Sequence, residues 1–299
     1  MLSDNVRRWV ERATGSRVVR VSRMRGATSS RLDDIEIGNG SGPRHVVLRR
    51  FVDEAWVRRE PDLAIREGMT LQHASRAGLP APTLIAVDAT GEHCGTPATL
   101  VEKISGEVIL EPKDPTHWVR SLAESAAQIH RVEASGFRWK YRRYNDREAL
   151  VVPSWSKQQG AWRKAIEIVT GPMRPYAECF VHRDYHPSNV LWENGQVTGV
   201  VDWVNGCRGP AGIDVAWCRH NLANLHSVSV ADNFLAAYVA ETGSEFNYDP
   251  YWDLMSVVEL LPGPPSMYEG WRAAGVAPIS GAMMRERVDD YLVSVVARL

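Results

Sequence analysis

Residues 181–204 read V-H-R-D-Y-H-P-S-N-V-L-W-E-N-G-Q-V-T-G-V-V-D-W-V, and this stretch decides the fold. Asn194-Gly195 separates the apolar runs 190–192 and 197–201, a strong short-range signal for a β-hairpin. Such a hairpin would carry Asp202 back beside Asn189, so that side-chain oxygens from Asp184, Asn189 and Asp202 converge. Hard oxygen ligands of this kind suit Mg²⁺, which is commonly held by one or two protein groups together with substrate phosphates. A carboxylate kept off the metal, Asp184, is then available to accept a proton from an attacking hydroxyl.

The spacing is that of a phosphoryl-transfer loop, H-R-D-x-x-x-x-N followed by a metal-binding Asp. On these residues the chain resembles the aminoglycoside phosphotransferase family, small-molecule kinases that share the protein-kinase fold. The likeness continues through 206–222, which contains C-R-G-P-A-G-I-D-V-A-W-C-R-H-N-L, with Asp214 in the place of the family's second downstream Asp. The resemblance implies that Asp184 is the catalytic base, that Asn189 and Asp202 hold Mg²⁺, and that Asp214 orders the loop by hydrogen bonding.

A different chemistry could use the same stretch. His182, Asp184 and His186 alternate, so on a strand they would share a face and could bind a hydrolytic metal. Pro187 breaks such a strand, however, and the remaining histidines lack ligand-like spacing. A non-catalytic ligand-binding relative is the other alternative, and the intact Asp184, Asn189 and Asp202 argue against it.

At 299 residues the chain is long enough for a large core and one or two domains. With 35 basic and 36 acidic residues, net charge gives no reason to expect a polyanionic partner such as nucleic acid. Cys94, Cys179, Cys207 and Cys218 are widely spaced with no C-x-x-C, which fits a reduced compartment and neither a disulfide framework nor a zinc site. No run approaches a membrane span and the first residues lack an apolar signal core. The expectation is therefore a cytoplasmic protein that binds no membrane.

The N-terminal part reads as a nucleotide-binding lobe over 1–103. Ser3 can cap a helix lined by Val6, Trp9, Val10 and Ala13, ended by Gly15. Alternating patterns over 17–25, 31–37 and 45–51 predict a three-stranded meander. Its first turn contains Gly26, Thr28, Ser29 and Ser30, and the resemblance makes it the loop that covers the ATP phosphates. By period two, Val47 and Arg49 point one way while Val46, Leu48 and Arg50 point the other. Arg49 thereby aligns with the family's phosphate-pairing lysine, a departure that keeps the charge and adds a fork of donors. A helix over 61–77, with Leu63, Met69, Leu71 and Ala74 on its apolar face, places Glu67 where the family holds the ion-pair partner of that cation. After a strand at 83–87, the stretch 97–106 resembles the inter-lobe hinge. There the carbonyl of Glu102 and the N–H of Ile104 would bind adenine.

The C-terminal lobe, 104–299, is expected to be mostly helical. Trp118, Leu122, Ala126 and Ile129 recur at helical spacing. The segment 137–171 interleaves basic residues with Trp139, Tyr141, Tyr144, Trp155 and Trp162, and the resemblance suggests a lid insertion over the acceptor site. A helix over 211–223 is expected to bury Ile213, Ala216 and Trp217, and further helices fall near 230–241, 250–260, 266–274 and 281–299. Only eleven residues separate Asp202 from Asp214, and Trp203-Val204 replaces Phe-Gly. Both features distinguish a small-molecule kinase from a protein kinase and leave Arg183 a structural role.

The fold class expected is α+β, a bilobal protein-kinase-like fold with an N-terminal antiparallel sheet lobe and a larger, mostly helical C-terminal lobe. The function expected is transfer of the γ-phosphoryl group of ATP, with GTP also compatible, to a hydroxyl of a small molecule, in the first instance an antibiotic. A kinase of a primary metabolite such as an amino alcohol or a sugar is the alternative. Residues 137–171 carry eight basic residues against three acidic ones, which favours an acceptor of low positive charge. Acceptor identity and oligomeric state are left open.

Overall fold

The computed structural model describes residues 2–24, 29–38 and 42–299. The chain forms two compact units. The first comprises Met1–Glu107, Leu191–Glu193 and Thr198–Gly206; the second comprises Val108–Val190, Asn194–Val197 and Cys207–Leu299. Thus the first unit runs a few residues past the boundary expected at 103 and takes back two later segments.

In the first unit, helix α1 (Asp4–Thr14) begins at Ser3, whose hydroxyl accepts the Val6 N–H. Strands β1 (Arg17–Arg23), β2 (Arg31–Gly38) and β3 (Arg44–Arg50) form the predicted antiparallel meander. A short helix α2 (Glu54–Arg59) and the longer α3 (Leu63–Arg76) follow. Strands β4 (Leu84–Asp88) and β5 (Ala98–Glu102) complete a five-stranded sheet ordered β1-β2-β3-β5-β4. Val6, Trp9 and Val10 of α1 pack with Val18, Ile35, Ile37, Val46, Leu48 and Leu100 in one core. The alternation along β3 is as predicted: Val46 and Leu48 enter that core, which puts Arg49 on the opposite face.

Helix α3 corrects one expectation. Met69, assigned to its apolar face, is exposed, whereas Leu63, Glu67, Thr70, Leu71 and Ala74 are buried. Two residues of an α-helix subtend about 200°, so a helix that turns Glu67 inward must turn Met69 outward. The first unit also takes in most of a three-stranded sheet made by β6 (Glu107–Val108), β8 (Val190–Glu193) and β9 (Gln196–Val200).

The second unit is dominated by helices: α4 (Pro115–His130), α5 (Gln159–Thr170), α6 (Ala211–Leu225), α7 (Val228–Thr242), α8 (Pro250–Val258), α9 (Glu269–Ala273) and α10 (Gly281–Val296). Strands β7 (Glu178–Val181) and β10 (Cys207–Pro210) pair antiparallel. Helix α9 is shorter than the 266–274 expected. Within 137–171, Phe137, Tyr141 and Trp162 are buried, while Tyr144 is exposed. Trp162 donates its indole N–H to Asp289 of α10 at 3.1 Å, tying α5 into the unit's core. No helix of the described residues is long and apolar enough to cross a membrane.

Candidate active site

In the second unit the chain leaves β7 at Val181 and turns sharply, with Arg183 at φ 67°. A non-glycine residue adopts this left-handed conformation only when its surroundings enforce it. Asp214 does so from the first turns of α6: its carboxylate oxygens accept the N–H groups of His182 and Arg183, each at 2.7 Å. His130 of α4 lies 3.2 Å from the same carboxylate. Burial alone would raise the Asp214 carboxyl, but the hydrogen bond and charge of His130, with His182, hold it below the usual carboxylate value. Asp214 therefore has the loop-ordering role expected of it.

The Arg183 guanidinium pairs with Glu259 at 2.7 Å and lies 4.2 Å from the Tyr144 ring centroid and 5.1 Å from that of Tyr141. It is buried and engaged in packing, as a structural role requires. The next residue is Asp184. Its Oδ1 accepts the indole N–H of Trp217 at 2.8 Å, and the Asn189 amide donates to its backbone carbonyl at 2.9 Å and lies 3.4 Å from Oδ2. With Nδ2 so directed, Oδ1 is the Asn189 atom suited to a hard cation.

The three residues of the metallohydrolase alternative do not share a strand face, although His186 Nε2 lies 3.7 Å from Asp184 Oδ1. His182 is fully buried and packs edge-on against Tyr185, and the turn at Arg183 takes His182, Asp184 and His186 off any common strand face. Among the described residues no group of three or more His, Cys, Asp or Glu is placed to hold a metal ion.

In the first unit Arg49, Glu67 and Asp202 come together. Arg49 Nη1 lies 2.7 Å from Glu67 Oε1 and 2.6 Å from Asp202 Oδ1, and its Nε donates to Ser30 Oγ at 3.0 Å. Burial would lower the Arg49 pKa, but the charges of Asp202 and Glu67 outweigh it and hold the guanidinium above its ordinary value. Thr99 of β5 donates to Glu67 Oε2, so the buried carboxylate has a partner on each oxygen. Asp202 sits at φ 68° just past β9. It leads into the 203–205 turn, where the Val204 carbonyl accepts the Arg66 Nε–H at 2.6 Å. A carboxylate and an amide oxygen are donor types that Mg²⁺ accepts, so Asp202 in the first unit and Asn189 in the second are each chemically able to ligate it.

The structure describes most of the other residues expected to meet the nucleotide. Ser29 is half-buried and Ser30 buried, whereas Gly26 and Thr28 lie outside the described residues. The Glu102 side chain pairs with Arg44, and the Glu102 N–H bonds the Thr83 carbonyl at 2.9 Å. Ile104 packs against Gly199, where an added Cβ would lie 2.7 Å from Ile104 Cδ1.

Sequence reasoning missed Trp217, which was assigned to a buried face but is half-buried, with its N–H on the loop. Its only sequence signal was the interval of three from Asp214 on one helix. Thr99 and His130 were missed too, since each acts through a partner distant in sequence.

A kinase-like α+β framework, an H-R-D-x-x-x-x-N loop ordered by a buried Asp, and a buried cation–carboxylate pair behind the sheet define a phosphoryl-transfer class. The chain belongs to the APH phosphotransferase enzyme family, whose model matches residues 5–274. A homoserine kinase of Polaromonas naphthalenivorans (strain CJ2) is 28% identical over 193 residues, 56% of this chain; the match spans 58% of that relative's length. A thermostable mutant of aminoglycoside phosphotransferase APH(4)-Ia, in a ternary complex with ADP and hygromycin B, superposes with TM-score 0.62 at 15% identity, covering 97% of this chain and 98% of that one. Amicoumacin kinase hAmiN, in complex with AMP-PNP, Ca²⁺ and Ami, gives TM-score 0.60 at 12% identity, covering 95% and 92%. At these identities the two solved structures establish likeness of fold.

Proposed function

We propose that the protein transfers the γ-phosphoryl group of ATP to a hydroxyl of a small molecule. The observation that carries this reading is the Asp184 loop, pinned through two backbone N–H groups by Asp214. In the reaction, an Asp184 carboxylate oxygen orients the acceptor hydroxyl and takes its proton as the new oxygen–phosphorus bond forms. The bond from the γ-phosphorus to the bridging oxygen breaks and ADP departs. Arg49, held by Glu67 and Ser30, contacts phosphate oxygens, assisted by the loop of Gly26, Thr28, Ser29 and Ser30. The Glu102 carbonyl and the Ile104 N–H receive the adenine. The chemistry that Mg²⁺ supplies when bound by Asn189 and Asp202 is neutralisation of charge on the phosphate oxygens.

The acceptor we favour is a hydroxylated antibiotic of low positive charge. A polycation needs several carboxylates around its site. Among the described residues, the side chains beside the Asp184 loop include the aromatics Tyr144, Trp217 and Tyr268, while Glu259 is engaged by Arg183. The 137–171 segment is read as a cover over this acceptor. A second reading, a metabolite kinase for an amino alcohol, is supported by the homoserine kinase relative. All four cysteines are free thiols, which suits the reducing cytoplasm.

ADP release measured with Mg²⁺–ATP against L-homoserine, amicoumacin, hygromycin B and a macrolide panel, with mass spectrometry of each acceptor, tests the proposal. Addition of one phosphoryl group to a single acceptor class supports it. Efficient phosphorylation of the polycationic aminoglycosides alone would contradict the low-charge assignment.

A further inference from the structure

We propose that Trp217 is the positioning residue of the phosphoryl-transfer site, its indole N–H fixing the direction in which the Asp184 carboxylate faces. The inference rests on the reading of Asp184 as the group that accepts the proton.

Trp217 Nε1 lies 2.8 Å from Asp184 Oδ1. An indole nitrogen is a donor only, so it cannot take the proton itself or compete for it. It can only hold one carboxylate oxygen in place. Because Oδ1 is tied to Trp217 and Oδ2 lies 3.4 Å from the Asn189 amide, both ends of the carboxylate have a donor that resists its rotation.

The position of Trp217 on α6 strengthens the assignment. Asp214 and Trp217 are separated by one helical turn and so lie on the same side of the helix. Asp214 fixes the loop's backbone at 182 and 183, and Trp217 fixes its side chain at 184. One rigid helix therefore sets both where the loop runs and where its carboxylate faces. The Trp217 ring is held in turn by His220, edge-on at 5.6 Å between centroids, and its own carbonyl accepts the Asn221 amide at 2.9 Å. Packing alone does not force an indole to find such a partner. The indole nitrogens of Trp155 and Trp271 are buried with no hydrogen-bond partner among the described residues.

The test needs a readout independent of the acceptor. In protein carrying ¹⁵N-labelled tryptophan, the Trp217 indole N–H signal is assigned by its loss in Trp217→Phe. A hydrogen bond to a carboxylate draws this proton downfield, so the signal should move upfield in Asp184→Ala. Turnover with an acceptor phosphorylated by the native protein should fall about tenfold in Trp217→Phe and in protein with Trp217 replaced by its benzothiophene analogue, where sulfur takes the place of N–H at nearly the same shape. KM for ATP and the melting temperature should be unchanged. An indole signal that does not move in Asp184→Ala overturns the proposal, as does unchanged kcat in the benzothiophene protein. If the native protein phosphorylates none of the acceptors tested, the functional reading fails on that panel, and the indole signal still decides whether Trp217 holds Asp184.

Discussion

Arg49 stands where the family resemblance leads one to expect a lysine, and it has more to hold. A lysine ammonium is a point charge, whereas this guanidinium meets Glu67 and Asp202 through one nitrogen and Ser30 through another. Both Arg49 and Glu67 are buried, so removing the cation leaves Glu67 with an uncompensated charge in a poorly solvated place. Breaking a buried pair in this way typically costs about 3–5 kcal/mol. Arg49→Ala is accordingly expected to lower the urea midpoint markedly and to weaken ATP binding. An unchanged midpoint would mean that the pair does not stabilise the first unit.

At the scale of elements, helix α6 links the loop to the packing of the second unit. His220, on the same helix as Asp214 and Trp217, stacks on Tyr291 and lies 3.3 Å from Ser256 Oγ. Its imidazole is pushed down to about 4 by burial. The unfolded chain binds a proton at this histidine near its ordinary value of 6.5 and the folded chain does not. Its contribution is therefore present above pH 6.5 and is lost as pH falls from there towards 4. His226 is shifted in the same direction, chiefly by burial. Urea midpoints are expected to fall between about pH 7.5 and about pH 5, and to fall less in His220→Phe. An equal fall in both proteins would assign the effect elsewhere. Gly206 is a second such point, because an added Cβ would come 2.1 Å from Thr70 Cγ2 of α3. Gly206→Ala should therefore destabilise the first unit, by about 1–3 kcal/mol as overpacking does; a neutral effect on the melting temperature would refute the close approach.

Elements also differ in how far the sequence reveals them. The hairpin is legible because Asn194 and Gly195 adopt φ 51° and φ 77°, the two left-handed positions that an Asn-Gly turn requires. Arg49 is legible because β3 has one core face and one polar face, so period two identifies its side. Trp217 is not legible: α6 is buried nearly all round, so apolar spacing cannot identify which side faces the loop. The Met69 assignment failed for a related reason, since a buried carboxylate at Glu67 overrides the apolar stripe that hydrophobic spacing selects. The Gly206–Thr70 approach joins positions far apart in sequence, and no local pattern encodes it.

For the molecule as a whole, nucleotide and metal are expected to stabilise the native state together. Ligand at about one hundred times its Kd adds about 2.7 kcal/mol, so Mg²⁺–ATP should raise Tm. Asp202→Ala should remove the Mg²⁺ dependence of ATP binding measured by calorimetry, and unchanged dependence would place the metal elsewhere. The proposed reaction centres on the Asp184 carboxylate. The most direct measurement is phosphoryl transfer from Mg²⁺–ATP to an acceptor turned over by the native protein, compared with Asp184→Asn by mass spectrometry. The variant is expected to melt normally, bind ATP normally and transfer about 10²–10⁴ times more slowly; transfer at the native rate would remove Asp184 from the reaction.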